Sequence, residues 1–159
     1  MAFDLEAMLR ALRDVEFILV GGVAAAVQGA PIVTQDVDIL YRLAPANLKR
    51  LELALDVLNA VTRDDPRRLR FAVSHLATKG HKLAMTDAGA IDILGSINDG
   101  LVFEDLLPHT ERMEFEGLEV NVLRLDKLID LKRALGRPKD LAVLPVLEAT
   151  LKERQSRER

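Results

Sequence analysis

Residues 17–40 constrain this chain more than any other stretch. Phe17–Val20 is an uninterrupted apolar run that reads as a buried strand. Gly21 and Gly22 end it, where close backbone approach to a ligand would need no side chain. The Ala-rich segment Val23–Gln28 then starts a helix, and thirteen residues after the glycine pair comes Asp36-Val37-Asp38-Ile39-Leu40. Side chains alternate along a strand, so Asp36 and Asp38 share one face while Val37 and Ile39 point into the core. Two neighbouring carboxylates repel one another unless a cation lies between them. The pattern therefore pairs a glycine nest for phosphates with a Mg²⁺-binding carboxylate pair.

A third piece repeats the design. In Ala90-Ile91-Asp92-Ile93-Leu94 one carboxylate is flanked by apolar residues facing the other way. On a neighbouring strand, Asp92 joins Asp36 and Asp38. Three carboxylates can hold two divalent ions about 3.5–4 Å apart, the geometry that clamps the attacking and leaving oxygens in phosphoryl transfer.

In this order and spacing, Gly21, Gly22, Asp36, Asp38 and Asp92 resemble the signature of the nucleotidyltransferase superfamily, which shares the DNA polymerase beta palm. Near the C-terminus, Lys132-Arg133-Ala134-Leu135-Gly136-Arg137-Pro138-Lys139-Asp140 is similar to a basic element of AbiEii-type toxins and small relatives. The two likenesses together span residues 16–145. The resemblance implies an α+β mixed-sheet fold, Mg²⁺ or Mn²⁺ as cofactor and an NTP as substrate. Asp36, Asp38 and Asp92 become the metal ligands and, with Lys132, the catalytic set. Gly21, Gly22, Lys82, Lys132, Arg137, Lys139 and Asp140 become nucleotide-binding residues. The chain departs from the toxin pattern after Lys139-Asp140, where Val143 stands in place of a further acidic residue.

Each element also has a plainer reading. The glycine pair can be an ordinary strand-to-helix turn, and the aspartates the solvent face of a half-exposed strand. Lys132 and Arg133 can be the solvated face of a helix with the apolar stripe Leu125, Leu128, Leu131 and Leu135. Lys132 falls off that stripe, so its loss is expected to leave stability nearly unchanged. Asp140 can simply pair with Arg137. Thr34 is a candidate turn residue at the entry to the aspartate strand. His75, His81 and His109 show no metal-ligand spacing and read as surface or packing residues. Arg63, Arg67, Arg68 and Arg70 cluster in a charged loop that reads as solvated, with nucleic-acid contact the alternative.

The 159 residues allow one domain with a sizeable core, over 1–152, followed by a charged tail at 153–159. Absence of cysteine excludes a disulfide framework and a thiolate metal site and fits a reducing cytoplasm. The N-terminus lacks the pattern of a signal peptide, and no apolar run approaches the ~20 residues of a membrane span. A net charge of −3 gives no sign of a strongly basic nucleic-acid binder. Predicted elements are helices at 4–14, 22–28, 45–60, 102–107, 126–135 and 138–152. Predicted strands lie at 16–20 and 35–41, with hairpins at 82–94 and 111–123. Helices before and after non-consecutive strands favour α+β over a doubly wound parallel sheet.

The expected activity is transfer of an NMP from an NTP to an acceptor hydroxyl, releasing pyrophosphate. The acceptor is left open among RNA, protein and small molecules. Two alternatives stand beside it: a non-catalytic nucleotide- or partner-binding module, and a toxin–antitoxin component acting on tRNA or protein with an antitoxin-like partner. Clustered carboxylates weigh against the non-catalytic module, because it has no use for concentrated negative charge.

Overall fold

In the computed structural model, which describes residues 2–158, the apolar runs become seven strands framed by helices. Asp4 opens α1 (Leu5–Ala11), its Oδ1 accepting from the Ala7 N–H at 3.0 Å. There follow β1 (Phe17–Val20), α2 (Gly21–Val27), β2 (Val37–Tyr41), α3 (Pro45–Val57), β3 (Val61–Thr62) and α4 (Val73–Leu76). The hairpin β4 (His81–Thr86) and β5 (Gly89–Leu94) precedes α5 (Phe103–Leu106) and a 3₁₀ turn at Leu107–His109. The chain ends with the hairpin β6 (Thr110–Phe115) and β7 (Leu118–Leu123), then α6 (Leu125–Leu135) and α7 (Pro138–Arg157).

The strand order is β3-β4-β5-β2-β1-β7-β6, one mixed sheet of an α+β domain. β1 runs antiparallel to β2, while β2 runs parallel to β5 and β1 parallel to β7. The register decides what the site contains. Asp38 lies beside Val20 on one side and Asp92 on the other, so both carboxylates leave the same face. Ile39, Ile93 and Tyr41 leave the opposite face, and all three are fully buried.

Asp36 stands one residue before β2 rather than on it, in a bend that Thr34 closes. The Thr34 hydroxyl donates to the Asp36 carbonyl at 2.7 Å. The expected fraying tail is not seen over its described residues, because α7 continues through Arg157. Arg154 anchors it, donating to Gln28 Oε1 at 3.0 Å and to both carboxylate oxygens of Glu111. Gln28 is itself buried and bonds the Ala24 and Leu123 carbonyls, tying α2 to the end of β7.

Asn47 is a second buried polar tie. Its Oδ1 accepts from the Glu16 N–H at 2.7 Å, and its Nδ2 donates to the Glu16 and Arg42 carbonyls at 2.9 Å. Asn47→Ala strands these backbone groups in a dry site. It is expected to cost about 2 kcal/mol in urea denaturation, with the midpoint shifted and the slope unchanged.

Candidate active site

The strand-to-helix junction brings backbone and carboxylate together. Gly21 begins α2 with φ +68°, and a Cβ built on it would lie 2.0 Å from Asp38 Oδ2. The position therefore admits only glycine while Asp38 keeps its place. Gly22 is less restricted, its missing Cβ facing Thr34 at 3.2 Å.

Asp36, Asp38 and Asp92 converge. Each offers a carboxylate oxygen within 4.8 Å of the others. Burial, then the charges of Asp92 and Asp36, push the Asp38 carboxyl up to about 8, with Lys132 opposing. Asp36 is also raised, by burial first and then by Asp92, with Arg63 working the other way. Carboxyl groups held this close release their protons readily only when a cation neutralises them. A cluster of hard oxygen donors fits Mg²⁺ or Mn²⁺.

A cleft of about 420 Å³ opens over Asp38 and Asp92. Its lining brings Gly21 and Gly22 together with the cations Lys132, Arg137 and Lys139. A mostly apolar recess of about 260 Å³ adjoins it, where Val20, Leu94, Leu123 and Leu128 meet Asp38, Lys132 and Arg137. A larger cavity of about 880 Å³ lies elsewhere, beside Phe17, Arg42 and Phe103. There Arg42 is already paired with Glu16 and Glu104, and no carboxylate cluster is present among the described residues.

The C-terminal basic element is built around a buried anion. Asp140 is fully shielded from solvent, bonded by Arg137 through Nε at 2.5 Å and Nη2 at 3.2 Å and by Lys132 at 3.3 Å. These bonds, Arg137's foremost, hold its carboxyl down at about 2. Asp140 thus positions the two cations rather than facing the cleft. The near-neutral stability effect expected for Lys132 is corrected accordingly, because this lysine is one of two cations compensating a buried charge. Lys132→Ala is expected to cost about 1–2 kcal/mol in chemical denaturation.

Lys82 is not brought to the carboxylates. It pairs across the hairpin with Ile93, whereas Leu83 is the residue opposite Asp92. Its side chain therefore enters the opposite face. It donates there to Tyr41 Oη at 2.8 Å, to the Gly80 carbonyl at 2.8 Å and to the Thr78 carbonyl at 2.5 Å. Burial lowers its ammonium to about 8. Lys82 ties the 78–80 turn to the sheet and offers nothing to a nucleotide over Asp38.

Two residues read as ordinary stand at the site. His81 lines the cleft, with Nε2 3.0 Å from the Ser96 carbonyl. Arg63 leaves its charged loop and places Nη2 2.6 Å from Asp92 Oδ1 and 4.0 Å from Asp36 Oδ2. Its loop neighbours do otherwise, with Arg67 pairing Asp65 and Arg70 reaching Asn59. His75 stacks on Phe71 and His109 ends the 3₁₀ turn.

No family model and no curated protein matches the chain. Solved structures do. A candidate nucleotidyltransferase of Thermotoga maritima aligns with TM-score 0.54 and 20% identity, over 98% of this chain and 91% of that one. The structure of ANT(2″)-Ia in complex with adenylyl-2″-tobramycin aligns with TM-score 0.56 and 14% identity, over 98% and 97%. The solution structure of the same antibiotic-resistance factor gives 0.55 and 13%, over 97% and 90%. No helix among the described residues is long and apolar enough to cross a membrane. At these identities the likeness establishes architecture, and the chain has a nucleotidyltransferase fold.

Proposed function

We propose that this protein is a Mg²⁺-dependent nucleotidyltransferase that moves an NMP from an NTP to an acceptor hydroxyl. The supporting observation is the convergence of Asp36, Asp38 and Asp92, the last two lining one cleft with Gly21, Gly22 and the cations Lys132, Arg137 and Lys139. Asp36 and Asp38 would hold the metal, which supplies positive charge to the triphosphate oxygens. The backbone at Gly21 and Gly22 and the side chains of Lys132, Arg137 and Lys139 bind and orient the phosphates. The acceptor oxygen bonds to the α-phosphorus as the bond from that phosphorus to its bridging oxygen breaks. Pyrophosphate leaves, and Asp92 would take the hydroxyl proton through the carboxylate oxygen that Arg63 does not hold. The adjoining apolar recess fits a flat, weakly polar group such as a nucleobase.

The acceptor class stays open among RNA, protein and small molecules, and the basic unit around Asp140 keeps an AbiEii-like toxin role in a reducing cytoplasm among the readings tested. Purified protein is incubated with Mg²⁺, each α-³²P-labelled NTP, and total RNA, lysate protein or a metabolite extract. Label entering one acceptor class, and lost in Asp36→Asn/Asp38→Asn, supports the reading. Absence of transfer with all four NTPs and every acceptor fraction contradicts it and favours a nucleotide-binding module.

A further inference from the structure

Arg63 is held as part of the site rather than as a surface side chain. It follows β3, and its N–H donates to the Leu83 carbonyl at 2.9 Å, fixing its backbone against β4. Its Nη1 donates to the Ala84 carbonyl at 3.0 Å. Those two bonds aim Nη2 at Asp92 Oδ1, 2.6 Å away, with Asp36 Oδ2 at 4.0 Å. The side chain is only 23% exposed. A guanidinium stays charged at any pH a protein survives.

Resting on the metal-centre reading above, we propose that Arg63 is a resident cation filling the second ion position of the carboxylate cluster. The centre then takes up one divalent ion, through Asp36 and Asp38, instead of two. Charge and space agree on this. Three ionised carboxylates carry three negative charges, which one divalent ion and one guanidinium balance. A second ion would have to lie about 3.5–4 Å from the first and reach Asp92 where Nη2 already bonds it. Two positive charges would then crowd one carboxylate in a partly dry site, where repulsion is poorly screened.

The test is Mn²⁺ stoichiometry, read from the electron paramagnetic resonance of free Mn²⁺ during titration with the metal alone. Wild type is expected to bind one ion per chain. Arg63→Gln, which keeps hydrogen-bonding capacity and removes the charge, is expected to bind two, the second within about tenfold of the first in affinity. Two ions in the wild type, or still one in Arg63→Gln, overturn the proposal. A second measurement covers the case in which Arg63→Gln does not fold. Asp92→Asn removes the carboxylate that Arg63 occupies and is expected to change wild-type Mn²⁺ affinity less than fivefold. Asp38→Asn is expected to weaken it at least a hundredfold. Equal losses in Asp92→Asn and Asp38→Asn overturn the proposal, since the bound ion would then depend on Asp92. Absence of saturable Mn²⁺ binding in every variant would sink the metal-centre reading itself, whereas two ions in wild type sink only the role of Arg63.

Discussion

Gly21→Ala is expected to reduce nucleotidyl transfer at least about a hundredfold and to destabilise the fold by about 2 kcal/mol. Two separate costs produce this. At φ +68° an L side chain is strained, by roughly 1–2 kcal/mol. The new Cβ would also meet Asp38 Oδ2 at 2.0 Å and Cγ at 2.9 Å, so Asp38 must swing or α2 must shift. Moving a reacting constellation by about 1 Å is enough for a loss of that order. Gly117→Ala separates the two costs. It carries a comparable strain at φ +82° but opens into free space in the β6–β7 turn. Its stability loss is expected to resemble the strain alone, with transfer unchanged. If Gly21→Ala proves as active as Gly117→Ala, the glycine is not there to admit Asp38.

Asp38→Asn is expected to abolish transfer, by about a thousandfold or more, while making the metal-free protein more stable at pH 8. The sign follows from the direction of the shift. The folded state holds the Asp38 proton more tightly than the unfolded chain, because burial and the charges of Asp92 and Asp36 raise its carboxyl to about 8. Wild-type stability without metal therefore falls as pH rises from about 4 to about 8. Asparagine removes that dependence. The variant is expected to exceed wild type by roughly 1–3 kcal/mol at pH 8, with the gap closing toward pH 4. Denaturation in chelator at several pH values checks this. A gap that widens as pH falls would show that the carboxylates are not in mutual conflict.

The carboxylate cluster was legible because it depends on period-two alternation and on strand neighbours, both visible in the apolar flanks of Asp38 and Asp92. Residue patterns mislead where function depends on register. Lys82 looked suited to a nucleotide because it begins the strand leading to Asp92. Pairing with Ile93 instead of Asp92 sends it to the opposite face, and one residue of register reverses every side chain. Arg63 was hidden for a related reason. Nothing in a run of charged residues shows that the N–H of one of them bonds Leu83 and carries its guanidinium across β4. Asp140 reads from the sequence as a nucleotide-binding residue by resemblance, with an Arg137 pair as the plainer alternative; the burial that favours the pair depends on how α6 and α7 pack, which apolar stripes alone do not specify. The charged end of α7 looked like a fraying tail because its anchors, Gln28 and Glu111, are distant in sequence.

If the aspartate cluster and the glycine junction form a metal–triphosphate centre, Mg²⁺ with an NTP in non-hydrolysable form, tried for each of the four, stabilises wild type but not Asp36→Asn/Asp38→Asn. The quantity compared is the ligand-induced shift, since relieving carboxylate repulsion changes the baseline of the variant. Wild type is expected to gain about 2.7 kcal/mol at a hundredfold excess of nucleotide over its dissociation constant, and the double variant to gain nothing. An equal gain in both proteins, or none in wild type with any of the four, would contradict the account.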